Sequence, residues 1–325
     1  MTTKEKLLAL LEDSKGTFFS GEEIARTLQV SRAAVWKAVN ALREDGYTID
    51  AATNKGYRLS PDSDILSPQG IRRFLKPEYR DLDLTVLPTA PSTNALVREK
   101  ANQGRPEGCV IVACEQTDGR GRYGRQFFSP IDSGVYLSLL LRPTAYSPQQ
   151  ATCLTAAMCQ AIEAVTGQQP GIKWVNDIFL HGKKVCGILT EAAVGLETGA
   201  LDYMVLGAGI NLYPPVKGFP EEIQPIAGSV LEHSCPEAKN RLVGEFLNRF
   251  RDFYAHPECR AYLEDYRARS LAIGRNVTVL SAGKAVSAYA YGIDDDFRLL
   301  VRYENGDIEA LSHGEICIQL AESAP

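Results

Sequence analysis

The N-terminal stretch of the chain carries its apolar residues at helical spacing. Leu7, Leu8 and Leu11 fall on one face of a helix predicted over Lys4–Leu11. Ser20 with Glu23 three positions on has the spacing of a reciprocal N-terminal cap, and opens a short helix, Ile24–Leu28. After a turn at Gln29 and Val30, Ser31 caps a third helix that turns Val35, Val39 and Leu42 inward and Arg32, Lys37 and Arg43 outward. A hairpin follows, from Tyr47–Asp50 through a turn at Asn54, Lys55 and Gly56 to Tyr57–Leu59. A short helix, a tight turn, a longer capped helix and a hairpin with a basic tip predict a winged helix-turn-helix. Ser31, Arg32, Lys37, Lys55 and Arg58 are its candidate DNA contacts, because cations on that helix and wing suit phosphates and base edges. A small helical interaction module with the same geometry remains the alternative.

Pro61–Asp64 has the composition of a linker. Beyond it, strand-like and helix-like stretches alternate to about Ser270, as in an α/β or α+β domain. Helices are predicted over 92–102, 148–166 and 238–255, and apolar strands over Cys109–Cys114, Gly134–Leu141 and Lys184–Leu189. From Leu271 the period shortens: Val277 alternates with Val279 and Leu299 with Val301. Asn305-Gly306 is a strong hairpin turn before Ile308–Leu311. The expected architecture is multidomain α+β: a winged helix at 1–62, a central mixed-sheet domain at 63–270 and a small β-barrel or sandwich at 271–325. A length of 325 residues accommodates it.

Composition narrows the class. No apolar run is long enough to span a bilayer, and the N-terminus mixes charges without a small-residue cleavage site, so neither membrane insertion nor a signal peptide is expected. The eight cysteines are scattered without a C-x-x-C pair, the pattern of reduced thiols in a cytoplasmic protein. His181, His233, His256 and His313 are too dispersed to suggest a metal site. A net charge of −5 gives no support for nucleic-acid binding, so that reading rests on the local pattern alone.

The chemistry concentrates around Gly119-Arg120-Gly121-Arg122-Tyr123-Gly124-Arg125, three glycines and three arginines with no acid. The spacing matches G-x-G-x-x-G, yet the run leads towards a second strand rather than opening a helix, which argues against a dinucleotide-binding turn. Free backbone and planar guanidinium forks suit wrapping a phosphate; a solvated basic loop is the bland alternative. Four clusters surround it. Ser92, Thr93 and Asn94 stand at a loop-to-helix junction, where capping alone would explain a hydroxyl. Gln116 ends the strand feeding the loop. Lys173-Trp174-Val175-Asn176-Asp177 precedes a hairpin turning at His181-Gly182, whose return brings Lys184 and Gly187. A lysine at a strand start is often just an edge charge. Gly207-Ala208-Gly209-Ile210-Asn211 closes a strand where backbone could approach a ligand.

Ser92-Thr93-Asn94, Gly119–Arg125, Lys173–Asp177, Lys184–Leu189 and Gly207–Asn211, in this order, resemble the motifs of biotin protein ligases, and with the N-terminal winged helix the whole chain resembles the bifunctional ligases that also repress the biotin operon. The related lipoate ligases share the catalytic fold but lack the arginine–glycine loop and the DNA-binding domain. The resemblance implies a biotin/lipoate ligase-like central domain and an SH3-like C-terminal barrel. It also implies a two-step reaction: biotin and MgATP give biotinyl-5′-adenylate, and a lysine of the biotin carboxyl carrier domain of acetyl-CoA carboxylase then takes the biotinyl group. Lys184 aligns with the catalytic lysine, with Arg120 and Arg122 beside it. Ser92, Thr93, Asn94, Gln116, Arg120, Gly121, Arg122, Lys184 and Gly187 would contact biotin. Arg122, Arg125, Phe127, Lys173, Asn176, Asp177, Asn211 and Phe219 would contact the nucleotide, with Asp177 the candidate Mg²⁺ ligand. A second loop, from Asn211 to Ala227, is expected to cover the adenylate. Val175 replaces the proline usual in K-W-P-N-D, and Phe127 stands where many members have tryptophan, offering adenine a smaller face. The partners implied are the carrier, operator DNA and a second copy when adenylate is bound. Two other readings compete: a ligand-sensing repressor with an inactive catalytic domain, and a ligase whose N-terminal domain no longer binds DNA.

Overall fold

The computed structural model describes residues 1–143, 149–195, 200–256, 260–281, 284–312 and 315–318, and the chain divides into two compact units. Pro148 and His313 lie outside the described residues. The first unit comprises Met1–Arg80 with Ser234–Glu245. Helix α1 (Thr3–Asp13) starts at a capping box between Thr2 and Glu5, and α2 (Gly21–Leu28) at one between Ser20 and Glu23. Gln29, in the left-handed conformation at φ 55°, makes the tight turn into α3 (Arg32–Glu44), capped by Ser31. Leu7, Leu11, Ile24, Val35, Val39 and Leu42 form one core with Ile49 and Leu59 of the wing strands β1 (Ile49–Ala52) and β2 (Gly56–Leu59).

The first wing strand begins two residues later than the alternation suggests. Tyr47 is buried and its N–H closes the end of α3 on Leu42 O at 3.0 Å, so it serves the helix instead. Gly56 has φ +94°, and a Cβ there would fall 2.0 Å from Phe19 O, because Phe19 pairs with Tyr57 as a third short edge of the wing. Helix α4 (Pro68–Phe74), not foreseen in the sequence, is seated by Asn240, whose Oδ1 accepts from Ser67 N at 3.0 Å. Arg73 on α4 reaches Glu12 on α1 and pairs with Glu237, which lies 3.4 Å from Lys15 Nζ. Glu12 is 1 % exposed, and its Oε1 has no hydrogen-bond partner among the described residues.

The second unit comprises Asp81–His233 and Phe246–Pro325. Its elements begin with β3 (Asp83–Leu87), α5 (Thr93–Asn102), β4 (Cys109–Ala113), β5 (Gly134–Leu141) and α6 (Gln149–Thr166). Then come β6 (Gly171–Lys173), β7 (Asp177–Leu180), β8 (Lys183–Val194) and β9 (Leu201–Asn211). These seven strands form one sheet in the order β3-β4-β5-β9-β8-β7-β6, parallel only between β3 and β4. Helices α7 (Ala238–Ala255) and α8 (Ala261–Ala268) precede the C-terminal strands. Every residue of β4 and β5 is buried, which explains their unbroken apolar runs. Ser138 is the polar exception within β5.

The C-terminal strands are β10 (Arg275–Ser281), β11 (Lys284–Ile293), β12 (Leu299–Tyr303), β13 (Ile308–Leu311) and β14 (Glu315–Ile318). They make one small antiparallel sheet in the order β13-β12-β11-β10-β14, with Val277, Val279, Leu299 and Val301 inward as their alternation requires. The turn at Asn305-Gly306 joins β12 to β13 as expected.

Candidate active site and nucleic-acid interface

The sheet places its chemistry at the end where β9 terminates. β8 and β9 pair Gly187 with Gly209 and Leu189 with Gly207, which lays three glycines on the floor of a cleft of about 270 Å³. A Cβ at Gly209 would stand 2.6 Å from the Phe127 ring and one at Gly187 3.1 Å from it. The glycines thus let an aromatic face lie directly on backbone.

Lys184 owes its position to a bulge. The β7–β8 register steps from Ile178↔Cys186 to Phe179↔Lys184, leaving Val185 as the extra residue. A bulge re-aims the side chains beyond it. Lys184 therefore lies along Gly187, its Cε 3.3 Å from where a Cβ would stand, instead of beneath the sheet with Cys186. Its ammonium pairs with Asp177 Oδ1 at 2.7 Å, both side chains partly exposed to the cleft. Cys186 is wholly buried, and burial pushes its thiol far above the ordinary range.

The arginine loop joins β4 to β5 with one 3₁₀ turn, Arg122–Gly124, and no helix follows it. That geometry excludes the dinucleotide turn. Gly121 N donates to Arg125 O at 2.7 Å, so the loop closes on itself. Arg122 donates to Asn176 Oδ1 at 3.3 Å and stacks on Tyr123, a residue at φ 57° and exposed at the tip. Arg120 faces Asp118 with two hydrogen bonds, 3.2 and 2.8 Å, and is 58 % exposed. Arg125 lines the same cleft.

On the opposite wall, Ser92 caps α5, its hydroxyl accepting from Ala95 N. Gln116 Oε1 accepts from Thr93 N at 2.9 Å, and Gln116 Nε2 donates to Ser129 Oγ at 3.2 Å. Ser138 Oγ lies 2.7 Å from Thr93 Oγ1 and donates to Asn94 Oδ1 at 2.6 Å, while Asn94 Nδ2 donates to Glu191 at 2.7 Å. Asn94 thus lines the cleft with both amide atoms already bonded to protein, and a Cβ at Gly207 would strike its Oδ1 at 2.1 Å. Asn176 is similarly anchored, its side-chain Nδ2 donating to Ile188 O and its backbone carbonyl accepting from Ile188 N. Asn211 Nδ2 donates to Gly228 O at 3.1 Å.

The cleft therefore gathers Ser92, Thr93, Asn94, Gln116, Arg120, Gly121, Arg122, Arg125, Phe127, Lys173, Asn176, Asp177, Lys184, Gly187 and Asn211. Phe219 is not among its lining residues; its ring meets Phe128, which is, at 6.3 Å. Ile223, Ile226 and Ala227 of the expected covering loop line the cleft, while sequence reasoning gave no role to Trp174 and Ile316 in the lining or to Ser138 and Glu191 behind it. Ser138 had a signal, one hydroxyl in an apolar strand. Ile316, on β14, had none.

The DNA-directed residues sit together in the first unit, but differ in their freedom. Arg32, Lys37 and Lys55 are exposed. Ser31 Oγ is committed as the α3 cap, accepting from Ala34 N at 3.1 Å. Arg58 pairs with Asp50 at 2.8 Å and stacks on Phe18, over which Lys55 also stands. Arg43 is exposed as expected, yet it also donates twice to Ile49 O and ties α3 to the wing.

Comparison with known proteins agrees along the chain. Residues 3–58 match the model of an HTH domain, 86–211 that of the biotin/lipoate A/B protein ligase family, and 272–318 that of the biotin protein ligase C terminal domain. The bifunctional ligase/repressor BirA of Bacillus subtilis is 35% identical over 315 residues, covering 94% of this chain and 95% of the relative. That of Escherichia coli is 29% identical, with 99% and 98% covered. A solved biotin protein ligase mutant from Aquifex aeolicus, in complex with biotin, superposes with a TM-score of 0.61 at 26% identity, covering 72% of this chain and 97% of that one. The chain belongs to the family of the bifunctional ligase/repressor BirA.

Proposed function

We propose that the chain is an ATP-dependent biotin protein ligase that also represses transcription, with biotinyl-5′-adenylate as corepressor. The observation that carries the ligase reading is the Lys184–Asp177 pair held against Gly187 in the same cleft as Arg120, Arg122 and Arg125. In the first step the biotin carboxylate attacks the α-phosphorus of ATP and pyrophosphate leaves. Two anions must approach each other, so fixed cations are the main requirement. Lys184 bridges carboxylate and phosphate oxygens, exchanging its Asp177 partner for them. The arginines hold phosphate through planar forks. Ser92, Thr93 and Gln116 present hydroxyl and amide groups to the ureido ring, and Asn94 sets their geometry from behind through Ser138. Phe127 gives the adenine an aromatic face, beside Lys173, Asn176 and Asn211, with Phe219 acting through Phe128.

The second step is attack of the carrier lysine's amine on the acyl carbon, with AMP leaving. The arginine loop and the 211–227 loop exclude water until that amine arrives. Mg²⁺ fits here only as a companion of ATP. Among the described residues no cluster of three or more His, Cys, Asp or Glu could cage a metal ion, and Asp177 supplies one carboxylate beside substrate phosphates. Bound there, the ion would neutralise phosphate charge. The carrier is the biotin carboxyl carrier domain of acetyl-CoA carboxylase, and the working compartment is the cytoplasm. Among the described residues no helix is long and apolar enough to cross a membrane.

Regulation follows from the winged helix in the same polypeptide. Adenylate orders the central loops, favours a homodimer, and two α3 helices then meet two operator half-sites. The division of labour is 1–62 for DNA, 63–270 for catalysis and 271–325 for a supporting β domain. Incubating the protein with labelled biotin, ATP and a carrier domain tests the first activity; absence of label on the carrier would sink it. A salt-dependent mobility shift of operator DNA, with and without biotin and ATP, tests the second. A ligase without DNA binding would label the carrier and leave the duplex unshifted.

A further inference from the structure

Trp36 is exposed where a core-forming residue gains nothing. It lies on α3 between the buried positions Val35 and Ala38, and 58 % of its surface faces solvent. Apart from the terminal Met1, it is the one large hydrophobic residue of the first unit that the described residues leave exposed. The other tryptophan, Trp174, is 3 % exposed and donates its indole N–H to Phe297 O at 3.2 Å. Among the described residues no side-chain hydrogen bond or ion pair involves Trp36, Arg32 or Lys37.

The surroundings commit this ring to one partner. Arg32, Ala33, Trp36 and Lys37 form one exposed strip, at spacings of three and four residues, and the first turn of α3 carries no acid. Helical side chains lean towards the turn N-terminal to their own Cα, so the indole covers the start of the helix beside Arg32 and Ala33. A recognition helix offers that end to base edges. Cations flanking a flat apolar ring complement a major groove, whose phosphates are anionic and whose thymines present a 5-methyl group. A protein partner would find a strip with two unpaired cations and little apolar area around the ring.

We infer that Trp36 is a specificity-determining residue of the operator contact, packing its indole on the 5-methyl group of a thymine in each half-site, while Arg32 and Lys37 hold the phosphates. The inference rests on the DNA-binding reading and adds the base that is read.

The test uses the full chain with biotin and ATP. A random-sequence library yields the preferred duplex, kept at about 40 base pairs so that two half-sites fit. Each thymine is then replaced by deoxyuridine, which removes only the methyl group. With the unaltered protein, one position per half-site is expected to lose affinity by about 5–30-fold. W36A should bind the parent duplex more weakly by a similar factor and no longer distinguish thymine from uracil there, with W36F intermediate. The salt dependence of W36A should match that of the unaltered protein, whereas K37A should flatten it.

Wild-type affinity for W36A, or a thymine preference unchanged in W36A, would overturn the inference. So would insensitivity of the unaltered protein to every uracil, a readout that needs no variant to fold. If the unaltered protein enriches no sequence and shifts no duplex, the DNA-binding reading itself fails, an outcome distinct from specific binding without methyl recognition.

Discussion

Lys184 and Gly207 show how single side chains set the cleft. Removing the ammonium by Lys184→Ala leaves carboxylate and phosphate facing each other, and adenylate formation should slow by about 10²–10³-fold. Pyrophosphate release at the normal rate would contradict that role. Gly207→Ala places a methyl 2.1 Å from Asn94 Oδ1, so Asn94 must leave Ser138 and Glu191. The expected result is a KM for biotin raised about tenfold, since one misplaced hydrogen-bonding group costs 1–2 kcal/mol; an unchanged KM would show that the Asn94 chain is dispensable. The sequence singled out Lys184 by its resemblance to the ligases' catalytic lysine, since a lysine at a strand start reads equally well as an edge charge. It did not show the bulge at Val185 that turns the lysine onto Gly187, since register is a property of two strands. Nor did it show that Asn94 and Gln116 are bonded to protein, because both types can either bind a ligand or hold a loop.

At the level of elements, the arginine loop is a short self-bonded turn between two buried strands. Arg122→Gly removes its bond to Asn176 and its stack on Tyr123, opening the cleft mouth. Free biotinyl-adenylate and nonspecific lysine labelling should both rise; a sealed intermediate in this variant would refute the water-excluding role. Helices α1 and α4 meet around Glu12, whose carboxyl burial lifts above the ordinary range against the pull of Lys15 and Arg73. A group whose pKa is raised on folding binds its proton more tightly in the folded state. Its contribution is therefore fullest at low pH and is lost as pH rises through the raised value. Glu12→Gln should flatten that loss above pH 4.5 and raise the unfolding midpoint near neutrality by about 2–5 °C. Hydrogen exchange at Leu7 and Leu11, followed against pH, would report it, and an unaltered pH profile would count against it. These elements differed in legibility for a physical reason. α1, α3 and the wing followed from periodicity and caps. α4 did not, being a short segment stabilised by Asn240, 173 residues from the Ser67 that it binds.

For the whole molecule, the order of domains was legible because each has its own period: 3.6 at the N-terminus, mixed in the centre, 2 at the C-terminus. Operator affinity should fall steeply with salt, with a slope set by the phosphates that two winged helices neutralise. It should also rise with protein concentration when biotin and ATP are present, as dimerisation requires. Concentration-independent binding by a monomer would remove the proposed coupling. What the sequence hid was cooperation across domains of unlike period, as when Ile316 of the terminal sheet lines a cleft built from the central one.

That last contact has a practical consequence. Along β14 the faces alternate, so Ile316 is buried at the cleft while Cys317 beside it is exposed. Burial pushes the thiol of Cys153 up to about 12, and those of Cys159 and Cys186 are raised as well, so these resist alkylation at neutral pH. A dye attached at Cys317 would sit one residue from the cleft but on its outer side. It would act as a gauge of closure that reads substrate arrival without touching the substrate.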